Sequence, residues 1–204
     1  MSNANHASPC LQLHFGHWCY CEPMRTNPFS SAKVTQAAAR LLELRKAPMS
    51  YMKLLKLLYL ADREALRTLG RAISGDRHVC MDHGPVLSLT YQLISDPPCP
   101  EENSYWHKHI SPPQGEYEVQ LLSPPGNGLL SEAEEEILDR VFSERGHLSR
   151  WDLVKFTHTL PEWHDPNGSS MPIQLSEMLG VSDVEAERQK AEMDEQNRTL
   201  SLMR

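Results

Sequence analysis

The chain has 204 residues, of which 40% are hydrophobic and 23% charged, enough to bury one sizeable core. No apolar run approaches the roughly 20 residues of a membrane span, and the first residues lack the basic start and apolar stretch of a secretory leader. Five scattered cysteines, an odd number, do not form a disulfide framework, so a reduced cytoplasmic protein with no membrane partner is expected.

The net charge of −7 hides a segregation. Met24 to Arg77 holds eleven Lys and Arg against four carboxylates, +7, whereas His78 to the end holds nine against twenty-two, −13. Such asymmetry points either to a charged partner or to the surface of one half pairing with that of the other.

Residues 1–30 show no sustained periodicity and read as a flexible extension. His14, His17, Cys19 and Cys21 within it are zinc-ligand types, but H-x-x-H with C-x-C lacks the spacing of a structural site, and neither metal nor cofactor is expected. The folded part is placed at 31–181. Its first helix carries Val34, Ala37, Ala38, Leu41, Leu42 and Leu44 and is stopped by Pro48. A second runs from a Ser50 cap to Gly70, with apolar residues on most sides of its first half, and should be central and buried.

"RHVCM" reads as a short strand. In "MDHGPVLSLTYQLI" the fixed φ and missing N–H of Pro85 suit a first helical position, which makes Gly84 the expected N-cap and Val86, Leu87, Leu89, Leu93 and Ile94 an apolar stripe. Proline-rich punctuation over 96–128 frames two candidate strands, Tyr105–Ile110 and Glu116–Leu122, expected to form a hairpin. Ser131 with Glu134 predicts a capping box, Ser149 a further cap, and Ser182 with Glu185 a box opening an acidic C-terminal helix over 182–204. The fold class is mainly α (α+β): a compact helical domain with a small hairpin or minor sheet.

Candidate chemistry gathers at His158, Glu162, His164 and Asp165, with Asp82 and His83 as possible neighbours in space. No H-E-x-x-H, P-loop, G-x-S-x-G or G-x-G-x-x-G accompanies them, so no catalysis is expected, and a metal-dependent hydrolase is the weakest reading. His158 suits a helix end, where an imidazole can cap terminal carbonyls, and Tyr59, Tyr91 and Trp151 read as core. The basic segment 25–77 keeps nucleic-acid binding, as an autoregulator, among the alternatives, although Lys53 and Lys56 interrupt the buried helix.

The order "MKLLKLLYLADREALRTLGRAI", "DHGPVLSLTYQLI", "LLSEAEEEILDRVFSERG", "SRWDLVKFTHTLPEWHDP" and "IQLSEMLGVS" resembles the Panacea domain, the SocA-like antitoxin domain, over roughly residues 31–185. The resemblance rests on Gly84-Pro85-Val86 and on the helix carrying Trp151 and Leu153 to His158 ahead of Trp163. It implies an antitoxin that neutralises a cognate protein toxin, usually encoded beside it, by direct binding. In the namesake member the domain also presents its toxin to a ClpXP-type protease. Two positions depart from the family pattern. His83 stands where an aromatic residue usually precedes the glycine, and Pro161-Glu162-Trp163 stands where Pro-Trp is frequent. The acidic terminal helix, with Asp183, Glu185, Glu187 and Glu192, is the expected partner contact.

Overall fold

The computed structural model describes residues 29–96, 105–115 and 117–202; the first 28 residues, with the flexible extension and the His/Cys group expected there, lie outside this set. Helix α1 (Ser31–Arg45) opens on the Ser30 hydroxyl, which accepts the Lys33 N–H at 3.3 Å. It ends two residues before Pro48, at Lys46 in a left-handed conformation (φ 55°), whose N–H is shared between the carbonyls of Leu42 and Glu43. After β1 (Met49–Ser50), helix α2 (Tyr51–Leu69) runs to a left-handed Gly70. Every residue from Lys53 to Asp62 is buried, because α2 packs on α1 and on five of the elements described below.

The strand expected around "RHVCM" is β2 (His78–Met81). The helix expected to open at Pro85 does not. Residues Gly84–Leu87 form β3, antiparallel to β2 with Pro85 opposite Cys80, and α3 begins at Ser88 and ends at Ser95. Proline fits here because β3 lies at a sheet edge, where the missing N–H breaks no ladder. The start of α3 is capped from a distance. The Asp76 carboxylate accepts the N–H groups of Leu89 at 2.9 Å and Thr90 at 2.7 Å, and the Thr90 hydroxyl as well.

The expected hairpin is also different. Tyr105–His109 is a helix, α4, whose Trp106 is buried, and β4 (Glu118–Val119) pairs with β1. Among the described residues a single bridge, Ile110 to Leu121, joins the two predicted strands. Trp106 and Ile110, four apart, bury together on one side of the chain, and α4 packs on α1. Helices α5 (Glu132–Arg145) and α6 (Arg150–Thr157) carry their expected caps. In the α5 box Glu134 N–H reaches the Ser131 hydroxyl and Glu134 Oε2 accepts the Ser131 N–H. Strand β5 (Met171–Pro172) adds to β2, giving the order β3-β2-β5, before α7 (Leu175–Leu179) and α8 (Asp183–Leu202). The fold is mainly helical with two small antiparallel sheets. No helix among the described residues is long and apolar enough to cross a membrane.

Part of the charge segregation resolves into internal pairing. Lys33 and Arg71 reach Glu134 at 2.8 and 3.1 Å, Arg40 clasps Asp139, and Arg63 clasps Glu162, each basic group from the first half and each acid from the second. Glu134 is 1% exposed, so its two cations lose their counter-charge in Glu134→Gln, which keeps an oxygen for the cap; a loss of about 3 kcal/mol is expected in urea denaturation. Asp139→Asn, at a half-exposed pair, should cost no more than about 1 kcal/mol in the same measurement.

Candidate functional site

Asp82 and His83, the exposed pair of the hairpin, form the turn between β2 and β3. Neither has positive φ; the left-handed residue is Gly84, at φ 89°. Glycine is needed there twice over. A Cβ on Gly84 would lie 2.6 Å from Thr157 Oγ1, 3.1 Å from Lys56 Nζ and 3.2 Å from His158 Cδ2. The next carbonyl, that of Pro85, accepts the Lys56 ammonium at 2.7 Å, and Val86 is buried beyond it. Lys56 is fully buried and, among the described residues, faces no carboxylate at bonding distance, so burial lowers its pKa from 10.5 to about 7.

Helix α6 brings the second group. Its last turn is closed by the backbone N–H of His158 to the Val154 carbonyl at 3.0 Å, not by the imidazole. The ring instead lies parallel on Trp163, centroids 3.9 Å apart at 10°, with Nε2 buried and without a hydrogen-bond partner among the described residues. Burial lowers its pKa first, and the nearby Lys56 and His83 add to this, so the ring facing Trp163 is neutral near pH 7. Trp163 points its N–H at the Met81 carbonyl at 3.5 Å. Trp151, expected in the core, is 48% exposed: the first turn of α6 projects past the hairpin, and the indole meets the His83 ring edge-on at 5.6 Å. Tyr59 is buried as expected, while Tyr91 is only half-buried.

Trp151 thus stands in the first turn of α6 against His83, while the other five signature residues, Gly84, Pro85 and Val86 of β3 with His158 and Trp163 at the end of α6, form one assembly. Lys56 and Thr157, which complete it, were not singled out; the sole signal was a lysine inside an otherwise apolar helical run. The acid and base types near His158 separate. Glu162 is buried and accepts the Tyr59 hydroxyl at 2.9 Å and the Arg63 Nε–H at 2.5 Å, His164 lies 3.0 Å from Glu177, and Asp82 accepts the Gly168 N–H at 3.0 Å. Among the described residues no three His, Cys, Asp or Glu side chains converge as a metal site.

The basic segment is similarly occupied. Lys33, Arg40, Arg63 and Arg71 are paired with acids, and Lys53 donates to the carbonyls of Gly146 and Leu148 at 2.7 Å each, which leaves less charge for a nucleic acid than the sequence suggests. Candidates on α8 are tied within their own helix: Glu185 to Arg188 and Gln189, Glu187 to Lys190, and Glu192 to Arg188, while Asp183 sits in the first turn. The helix rests on α7 through the buried Ala186.

The antitoxin SocA-like Panacea domain matches residues 54–164, from inside α2 to just past Trp163. The chain belongs to that family. No curated protein and no solved structure matches it. Within this Panacea domain the matched stretch contains Lys56 and all six signature residues. The departure at Glu162 has a structural use, since that carboxylate ties Tyr59 and Arg63 of α2 to the turn carrying Trp163.

The Panacea hairpin yields two expectations. The folded pKa of Lys56 lies below its unfolded value, so between about pH 7 and 10.5 the unfolded chain holds more protons and stability rises with pH, by about 1.4 kcal/mol per unit within the window. Urea titrations across that range should show the rise in the native protein and a flatter profile in Lys56→Met. Gly84→Ala combines a left-handed alanine with a contact of 2.6 Å and should lose about 3 kcal/mol, read as a lower midpoint in the same titration.

Proposed function

We propose that the protein is an antitoxin-type interaction protein that acts by binding a cognate protein toxin in the cytoplasm and masking it, without catalysis of its own. The observation that carries this reading is the Panacea match over residues 54–164, which contains the whole hairpin and α6 assembly. Masking needs a complementary rigid surface and no proton transfer. A turn locked by Gly84, Lys56 and the His158–Trp163 stack offers such rigidity, and the Trp151–His83 edge stands at its surface.

The acidic helix α8 is proposed as a second contact. It holds Asp183, Glu185, Glu187 and Glu192 with few apolar groups, so attraction to a basic partner would act mainly on the association rate and weaken with salt. Presentation of the bound toxin to a ClpXP-type protease is proposed as a separate, later step.

The experiment is expression of the adjacent open reading frame with and without this chain. The neighbour's product is expected to stop growth alone, to be harmless in co-expression, and to co-purify in a stoichiometric complex. Removing residues 183–204 should weaken protection at least several-fold while leaving a cooperative melt. A harmless neighbour, or a toxic one that never co-purifies, overturns the reading; a toxin whose half-life is unchanged without ClpXP overturns the protease step alone.

A further inference from the structure

Away from the hairpin, one face of α1 borders a groove. Gln36, Ala39, Arg40 and Glu43, at the spacing of one helical stripe, face Glu135 of α5 and the loop 124–130 across it. The loop is pinned from both sides. The buried Gln36 amide accepts the Leu129 N–H at 2.9 Å and donates to the Pro125 carbonyl at 3.4 Å, while Asn127 Nδ2 donates to Glu135 Oε1 at 2.8 Å. Between these fixed walls a space of about 180 Å³ stays open. That is below the roughly 300 Å³ at which small-molecule sites begin, and it suits one long side chain.

The charge of the walls is one-sided. Arg40 is already committed, since Nε and a terminal nitrogen donate to the two oxygens of Asp139 at 2.8 and 2.6 Å. With that pair neutral, Glu43 and Glu135 leave the groove with two negative charges. The Glu43 carboxylate is exposed and accepts no hydrogen bond among the described residues, and Glu135 is half-buried. The charged groups that act on Arg40 are Asp139, Glu135 and Glu43, all acidic. Arg45 and Lys46, the next cations along α1, do not line the groove.

We propose that this groove receives one basic side chain, lysine or arginine, of the partner protein, its methylene stem against Ala39 and Leu130 and its cation at Glu43 and Glu135; this deepens the interaction reading above and rests on it. Only a side chain of that kind joins an apolar stem to a positive tip, as a lining of small and apolar residues beside two carboxylates requires. A phosphate is repelled by both acids, and a wholly apolar group would take water from them without supplying a counter-charge. An interface closing over the groove lowers the local dielectric and strengthens the attraction. The α1 wall lies ahead of the matched residues 54–164, so the groove is built in part outside the family match.

The test uses the full chain with a nitrogen-labelled backbone, titrated by NMR with an acetylated Gly-Lys-Gly amide. A norleucine version of that peptide and an oligothymidylate serve as comparisons. Saturable shifts of the Ala39, Gly126 and Asn127 amides with the lysine peptide alone are expected. Glu43→Gln and Glu135→Gln should each weaken that binding about threefold to fivefold, the loss of one ion pair, and Glu118→Gln, an exposed acid outside the groove, should not. Because Glu135 also holds Asn127, Glu43→Gln decides alone if Glu135→Gln lowers Tm. Equal shifts with the norleucine peptide or the oligonucleotide, unmoved groove amides, or undiminished binding in Glu43→Gln each overturn the proposal. If the amides do not respond while the adjacent gene product still co-purifies, this groove is lost and the antitoxin reading stands.

Discussion

Lys56 donates to the Pro85 carbonyl from the middle of a helix that is buried on every side, and the geometry of the hairpin follows from that bond. The amine takes up a backbone acceptor of β3. Its presence, with Thr157 and His158, leaves no room for a side chain at position 84. A left-handed glycine then sets the Asp82–His83 turn, and the turn brings His83 against Trp151. An ammonium in this setting is costly because no carboxylate offsets its desolvation, which is why its pKa falls toward neutrality. The helix can carry a lysine at its centre because it can lose the proton.

Lys53 is held in the same way, by the carbonyls of Gly146 and Leu148, whereas the buried carboxylates are each answered by several donors. Glu134 joins α5 to Lys33 of α1 and to Arg71 after α2, while its own side chain closes the capping box. Glu162 joins the turn after α6 to Tyr59 and Arg63 of α2. Asp62 accepts from the backbone of Ile73 and Ser74, and from the Ser74 hydroxyl, and Asp76 caps α3. Each carboxylate sits where two or three elements meet, so it orients them relative to one another in a way that apolar contacts, which have no direction, do not.

This division bears on function. The side chains that look like chemistry in the sequence, His158, Glu162, His164 and Asp82, each hold a different neighbour in place. What the assembly presents outward is aromatic and rigid: Trp151 with His83 beside the hairpin, and Tyr117 with Tyr51 and Tyr91 at the start of α2. A scaffold of this kind suits recognition of a protein surface, in which a few fixed aromatic groups carry much of the affinity.

Local signals sufficed wherever the governing contacts lie within a few residues. The helical spacing of α1, the burial of α2, the Gly70 stop, and the caps at Ser131 and Ser149 were all legible, because capping and amphipathic spacing act over three or four positions. The ordered blocks also carried the family. Position 85 was not legible. Pro85 after Gly84 suits a helix start or an edge strand equally well, and the choice was made by Lys56, twenty-nine residues earlier, and by Asp76, which caps α3 at Leu89 and Thr90. Trp151 lies on an apolar stripe in the sequence but on the rim of the fold, since only the packed arrangement of α6 against β3 decides which residues of a stripe run out of core. Tyr105–Ile110 became a helix because Trp106 and Ile110 bury together beside α1, a contact that strand propensity does not weigh. The sequence by itself determined α1, α2, α5 and α6, the stops after α1 and α2, the caps at Ser131 and Ser149, and the family; the tertiary structure decided α4, the hairpin, the buried lysine beneath it and which aromatic rings face outward, because those depend on groups brought together from distant parts of the chain.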